Sequence, residues 1–491
     1  MKKKFIFILM LALTLVLTSC SSKNMFTFII DESYEEYIIL GTSADYPPYE
    51  SLKTVDDKLT VVGIDIELAK EIANKLGKNL KVVNRDFDFL LEDLKDGKVD
   101  FVISGMNPTP ERSEIVDFSK IYYEATHSVL INKNNVDKYN NKEALNQNNI
   151  KVGAQLGSVQ QEIVLDEFSN SQSVFLNNVN DLIMQLNDNK LEAVVLETPV
   201  ATSFITRYPN LTLTNYNVGN PEDGSAVAVT KGNAELLTVI NDVIVELVSS
   251  GKMSAIINDA ILDDSVVEPE KLFSKGNIIL LLQGVLMTII LALLSVFFGS
   301  ILGLFITILR MSNNKIFKTI AKWYVEIVRG TPLLVQVLLI YSFFNIPVIL
   351  FLGIDLSSFI PGILALLINS SAYVSEIFRG GIESVDNGQT EAGLALGMTK
   401  GSIMKKIVLP QAIKNIIPSL GNEFITMIKE TSIFMYLGVA ELMYNASIVK
   451  AQSFQIKEVY IITALTYLVL TLSTSKLLSM YQKKLGEKDA K

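Results

Sequence analysis

Arg112 closes the run Ser104-Gly105-Met106-Asn107-Pro108-Thr109-Pro110-Glu111-Arg112, which places free backbone N–H groups beside one guanidinium. A guanidinium offers a bidentate fork to a carboxylate, so the α-carboxylate of an amino acid is a natural partner. Gly157-Ser158-Val159-Gln160 opens a predicted helix whose first N–H groups would add to the same anion site. Leu196-Glu197-Thr198-Pro199 ends a predicted strand with a carboxylate suited to an α-ammonium. Gly41-Thr42-Ser43-Ala44-Asp45-Tyr46-Pro47-Pro48-Tyr49-Glu50 presents an aromatic beside two prolines at another strand end. Taken singly, these residues have duller readings. Arg112 between Glu111 and Glu114 fits a surface ion pair, Tyr46 and Phe87 fit core aromatics, and Glu197 fits a solvated strand end.

The elements that must hold these residues read as alternating strands and helices. Tyr37–Gly41, Leu59–Val62, Lys81–Val83 and Val99–Ser104 are predicted strands, with helices at Ile64–Leu76 and Phe89–Leu94. In the first helix Ile66, Leu68, Ala69, Ile72, Ala73 and Leu76 recur at the spacing of one helical face. A second set runs through Lys151–Gly153, Ser158–Phe168, Val174–Leu176, Val179–Asn187 and Ala193–Leu196. Such alternation predicts two α/β lobes, joined by crossovers near Ser128–Asn132 and Ser225–Thr230, with a ligand cleft between them. His127, between Thr126 and Ser128, reads as a wet strand residue with no ligand role.

Composition limits the alternatives. The 491 residues exceed one compact core, and 49% are apolar, concentrated from about residue 277 onward. The net charge of −9, with no basic stripe in the first half, argues against nucleic acid. One cysteine and one histidine exclude internal disulfides and His-rich or Cys-rich metal sites, and no cofactor is expected. The first twenty residues read as a targeting segment: Lys2, Lys3 and Lys4, an apolar run from Phe5 to Leu17, then Thr18-Ser19-Cys20. That ending resembles a bacterial lipobox, which implies lipidation of Cys20; a plain cleaved signal or an uncleaved anchor is the alternative.

The second half reads as membrane-spanning, with about five helices. Ile278–Leu309 carries no charge; Thr331–Ile354, Leu356–Ser375 and Val459–Ser475 follow, and Ile416–Ala440 is apolar apart from Glu423, Lys429 and Glu430. An exported first domain sends the first span inward. The predicted inner pieces then hold Arg310 to Arg329, Arg379 to Lys414 and Lys476 to Lys491, against only Lys450 and Lys457 in the later outer loops. Charges inside spans are kept from lipid, so Glu423, Lys429 and Glu430 are expected to face the bundle interior, as a polar translocation path or as ties between helices.

Between the third and fourth spans, Asp386 or Asn387 caps a predicted helix, Ala392, Gly393 and Ala395 leave one surface thin, and Gly397 ends it. Glu391-Ala392-Gly393, then Gly397, then Ile407-Val408-Leu409-Pro410 resembles the EAA loop of ABC importer permeases, with Gly393 where alanine is usual. Arg329-Gly330-Thr331-Pro332, Tyr373-Val374-Ser375-Glu376 to Gly381, and Gly421-Asn422-Glu423-Phe424 with Lys429-Glu430-Thr431-Ser432 are similar to further stretches of the polar amino acid branch of that family. The resemblance covers residues 277–482, with the loop at 379–415. It implies that the loop docks a separate ATPase and that two permease copies pair as a homodimer within the lipid bilayer. No phosphate-cradling GxxxxGK[ST] occurs, so the chain itself is not expected to be an enzyme.

The first half resembles the solute-binding proteins of polar amino acid uptake over residues 36–262, a type II two-lobed fold. That resemblance gives the side faces of the ligand to Tyr46 and Phe87. It gives Arg112, Asn107 and Ser158 to the carboxylate and Gly105 with Glu197 to the ammonium. Many members carry aspartate at Glu197, and members that take a cationic or amide side chain often carry a carboxylate at Ser43. The expectation is therefore a binding domain joined by a tether (263–276) to its own permease. A ligand-gated channel or a sensory receptor on the same ectodomain is the alternative; a complete domain ahead of the first span disfavours the channel, and the short tail after Tyr481 disfavours the receptor.

Overall fold

The computed structural model describes residues 24–489 except 56–57, 125, 220–223, 266–270, 345, 348, 352–353 and 454. The expected targeting segment with Cys20, and the middle of the expected tether, lie outside the described residues. The chain divides into two compact units, one mainly up to Gly276 and the other mainly from Asn277.

In the first unit the chain lays down β1 (Met25–Phe28), β2 (Tyr37–Thr42), a small sheet of β3 (Asp45–Tyr46), β4 (Glu50–Val55) and β5 (Lys58–Val62), then β6 (Asn79–Asn84), β7 (Phe101–Val102) and β8 (Val116–Glu124). A second lobe follows as β9 (His127–Asn132), β10 (Lys151–Gln155), β11 (Gln172–Leu176), β12 (Ala193–Glu197) and β13 (Leu211–Val218). The chain then returns as β14 (Gly224–Thr230). The lobes are a six-stranded sheet in the order β1-β6-β2-β7-β14-β8 and a five-stranded sheet in the order β11-β10-β12-β9-β13. Parallel β2–β6 and β10–β11 pairs need helical crossovers, which is why the alternation was legible. The helix Ile64–Lys75 buries Ile66, Leu68, Ala69, Ile72 and Ala73, the stripe its periodicity marks. Each isoleucine or leucine among them contributes about 1.5–3 kcal/mol when fully buried.

Two expectations need correction here. Ser128–Asn132 and Ser225–Thr230 are not crossovers but the bodies of β9 and β14; the chain changes lobe just before each. His127 is fully buried rather than wet, with Nδ1 3.2 Å from Gln160 Nε2. β9 lies between β12 and β13, so polar sequence neighbours do not bring it to water.

The second unit is helical: Lys275–Arg310, Lys315–Gly330, Leu333–Phe343, Leu356–Glu383, Leu409–Glu430, Leu442–Ser453 and Ile456–Asp489 are its main helices. Among the described residues three helices are long and apolar enough to cross a membrane, or five spans if each bent pair counts as one. The expected second span, Thr331–Ile354, is corrected. Its helix stops at Phe343, a short antiparallel hairpin (Leu350–Phe351 with Ile354–Asp355) follows, and Lys315–Gly330 meets Leu333–Phe343 at 108°. Pro332 at the N-cap position, lacking an N–H, separates the two helices. The first and third spans approach through small residues, where a Cβ on Gly299 or Gly303 would come within 2.9 Å of Ser370 or Ser371.

Candidate functional site in the cleft and in the helical unit

The cleft residues fall into two groups. Tyr46, buried on β3, stacks on Tyr49 with ring centroids 5.8 Å apart and planes at 17°. Gly105 packs against the same ring, where a Cβ would stand 3.1 Å from Tyr46, and its φ of +51° is a left-handed conformation that glycine adopts without strain. Glu197, fully buried at the end of β12, has its N–H 3.5 Å from the Tyr46 hydroxyl. Burial first, and the Glu197 charge second, push the Tyr46 and Tyr49 hydroxyls well above their usual range, so both stay protonated donors.

The other group gathers around Arg112, on the helix Pro110–Ile115 that Thr109 caps. Its guanidinium donates through Nη1 to the Asn107 carbonyl (2.7 Å) and through Nη2 to the Gly157 carbonyl of the other lobe (2.8 Å). It also stands 5.5 Å over the ring of Phe87, which is half-buried in the turn Phe87–Phe89. Burial lowers Arg112 to about 10, so it remains cationic at neutral pH. Ser158 caps Val159–Glu167 and donates to the Gln155 carbonyl (2.7 Å), while Asn107 donates to the Gly224 carbonyl (3.2 Å). The structure thus brings Arg112, Phe87, Asn107 and the turn preceding Ser158 together, and separately Tyr46, Gly105 and Glu197.

Three carboxylates that the motif reading passed over belong to the same region. Asp45 accepts from the Val179 N–H of the other lobe (3.0 Å) and from Ser43 Oγ (2.9 Å). Asp86 accepts from Asn177 Nδ2 (3.4 Å), and Asp88 lies 3.5 Å from where a Gly157 Cβ would stand. Asp45 is raised to about 6, chiefly by burial, and Asp86 to about 7, by burial and then by the Asp88 charge. Asp45 lies inside the loop Gly41–Glu50, but its partner Val179 is far along the chain, so no local pattern marks it.

An acid whose folded pKa exceeds its unfolded value binds more protons when folded, so it costs stability as pH rises through the folded value. Asp86→Asn is therefore expected to raise the melting temperature of the binding-domain transition by about 3 °C at neutral pH, a gain that fades toward about pH 4. Differential scanning calorimetry at the two pH values checks this; an equal gain at both would contradict it.

In the helical unit Asp386 caps Asn387–Ala395, its Oδ1 accepting from the Gly388 N–H (2.6 Å). Gly393 faces inward, where a Cβ would come 2.8 Å from Ile403 Cγ1, so the thin surface is a packing requirement. Gly397, at φ +76°, ends the helix in the left-handed region. Glu391 and Ala392 are exposed, as are Leu394 and Leu396, apolar tip residues that the small-residue reading did not single out.

Glu423 is buried and accepts from Ser370 Oγ (3.1 Å). Lys429 departs from expectation: it projects from the exposed side of the helix, and Glu430 is half-buried. Met427, one turn after Glu423, takes the inward face instead. A cavity of about 480 Å³ is lined by Glu423, Arg329, Tyr373, Glu376, Asn415 and Ser419, among others. Glu376 there gathers Arg310 (2.7 Å), Arg379 (2.7 Å) and Arg329 (3.5 Å).

Comparison with known proteins separates the same two parts. Residues 38–261 match the bacterial extracellular solute-binding proteins, family 3, and residues 295–486 match the binding-protein-dependent transport system inner membrane component. The chain is similar to a putative glutamine transport system permease protein of Rickettsia felis, 39% identical over 209 residues, covering 43% of this chain and 94% of the relative. It is also similar to an arginine transport system permease protein of Bacillus subtilis, 38% identical over 209 residues, with the same coverage of 43% and 94%. A solved amino acid ABC transporter substrate-binding protein of Streptococcus pneumoniae, bound to L-arginine, is 36% identical with a TM-score of 0.46, covering 48% of this chain and 98% of that one.

Proposed function

We propose, from the premise that this chain belongs to the permeases of polar amino acid ABC importers and carries its own family 3 solute-binding domain, a capture-and-delivery mechanism for one free amino acid. The protein resides in the membrane, with the binding domain outside. Arg112, with Asn107 and Ser158, takes the α-carboxylate; the Gly105 carbonyl and Glu197 take the α-ammonium; Tyr46 and Phe87 cover the faces of the ligand. The observation that carries this reading is the Arg112 guanidinium held between carbonyls of the two lobes, at Asn107 and Gly157, where a carboxylate can join it as the lobes close.

Delivery then runs through the fused permease. A separate ATPase docks on the projection Glu391–Gly397, and its cycle opens a path past Glu423 between paired permease copies, which Lys429, exposed on a single copy, and half-buried Glu430 can then face. Cys20, lipidated, anchors the exported segment. The tether keeps the binding domain at high local concentration beside its permease, replacing diffusive capture by a free binding protein. Within the polar amino acids, Asp45, Asp86 and Asp88 favour a cationic side chain over a neutral one, although members that take a cationic or amide side chain often carry a carboxylate where Ser43 stands.

Calorimetric titration of the full chain with each of the twenty amino acids tests the binding reading. Saturable binding of one or a few polar members is expected, cationic ones tightest. A chain that binds none would overturn it.

A further inference from the structure

Behind Gly105 two carboxyl groups are buried without any exposure, Glu50 at the start of β4 and Asp65 in the first turn of Ile64–Lys75. They lie close enough for the Asp65 charge to act on Glu50, and Glu50 Oε2 meets no donor hydrogen. Asp65 Oδ2 accepts from the Gly105 N–H (2.8 Å), and Oδ1 accepts from the Tyr122 hydroxyl on β8 (2.7 Å). Glu50 Oε1 accepts from Ser104 Oγ (2.6 Å), and Ser104 Oγ in turn accepts from the Ser43 N–H (3.1 Å). The pair therefore holds two loops at once, the one after β2 and the one after β7.

Two carboxylates in this contact, both fully buried, cannot both be ionised without a large cost, so one proton is shared between them. The hydrogen-bond pattern says which group carries it. Asp65 receives N–H and O–H donors on both oxygens, as an ionised group does, and Glu50 is left as the protonated donor. Burial first and the Asp65 charge second push Glu50 well above the usual carboxylate range; burial also raises Asp65, against the donors that hold it down. Because the Gly105 N–H is spent on Asp65, the peptide is fixed with its orientation set from behind.

We propose that the Glu50–Asp65 pair positions the Ser104–Gly105 loop for the ligand, so that affinity for an amino acid follows whether the pair holds one proton. This rests on the reading of Gly105 as a ligand contact. Loss of the shared proton at high pH sets two negative charges against each other and displaces the loop. Full protonation at low pH turns one Asp65 oxygen into a donor and weakens its hold on the Gly105 N–H and the Tyr122 hydroxyl. The titratable groups facing the pair are Tyr122 on β8, Asp45, Tyr46 and Tyr49 on the first loop, and Glu197, whose charge reaches Tyr122.

The test is the dissociation constant of the full chain for each of the twenty amino acids, from about pH 5 to about pH 10, in the wild type, Glu50→Gln and Asp65→Asn. Glu50→Gln keeps a neutral N–H donor toward Asp65. It is expected to bind within about threefold of wild type near neutrality and to lose less affinity at high pH, where the ligand's own ammonium affects both alike. Asp65→Asn is expected to bind about tenfold or more weakly at neutral pH. Should Asp65→Asn not fold, the difference between the wild-type and Glu50→Gln profiles decides alone. Superimposed profiles, or Asp65→Asn binding within about threefold at every pH, overturn the proposal while leaving the cleft reading intact. A wild-type chain that binds no amino acid overturns the cleft reading and this proposal with it.

Discussion

Arg112→Ala is expected to weaken amino acid binding to the full chain by about 100-fold or more, equivalent to about 3 kcal/mol for truncating one side of a desolvated charge pair. The size of the effect follows from what the guanidinium does in the cleft. It is the charge assigned to the ligand carboxylate, it reaches the Gly157 carbonyl of the opposite lobe, and it lies over Phe87. Alanine removes all three interactions, and water entering in its place lacks the fixed fork. Arg112→Lys keeps the charge but offers no planar pair of donors, so it should recover only part of the loss. Calorimetric titration measures both; an Arg112→Ala affinity within about threefold of wild type would remove Arg112 from the site.

Leu396→Asp should produce the opposite pattern: unchanged amino acid binding with ATP-driven uptake reduced about tenfold or more. Leu396 is 82% exposed at the tip of the projection that follows the third span, beside exposed Leu394. An apolar side chain that exposed gains about 1.5–3 kcal/mol if a partner buries it, and a carboxylate in its place adds a desolvation cost. With the ATPase docked on this tip, as proposed, the loss should fall on that contact and not on the cleft. Uptake in proteoliposomes holding this chain and its ATPase, beside calorimetry on the same variant, separates the two. Full uptake by Leu396→Asp would remove the tip from the coupling surface.

The parts of the fold that local pattern controls were legible, and those that depend on distant partners were not. The stripe of Ile66, Leu68, Ile72 and Ala73 announced its helix, and of Asp386 and Asn387, either of which could start a helix by its capping chemistry, the cap is Asp386. His127 was misread because burial depends on a strand's place in its sheet, which its neighbours in sequence do not encode. Asp45 shows the same limit: its partner Val179 lies 134 residues away, and only folding reveals that a helix of the other lobe meets it. Thr331–Ile354 failed for a different reason. An uncharged run satisfies hydropathy whether it is one helix or a short helix followed by a hairpin, so its length alone does not tell the two apart. Among the charges of the fourth span, spacing along the helix separated Glu423 from Lys429, but only packing decided which of them turned inward.

Capture outside and passage through the membrane are assigned to one polypeptide, and uptake without any free binding protein tests that most directly. Proteoliposomes containing this chain and its ATPase, with ATP on the ATPase side and the tightest-binding amino acid on the other, should accumulate that amino acid with no further component. Accumulation only after a separate binding protein is added, with the fused domain occupied but idle, would contradict it.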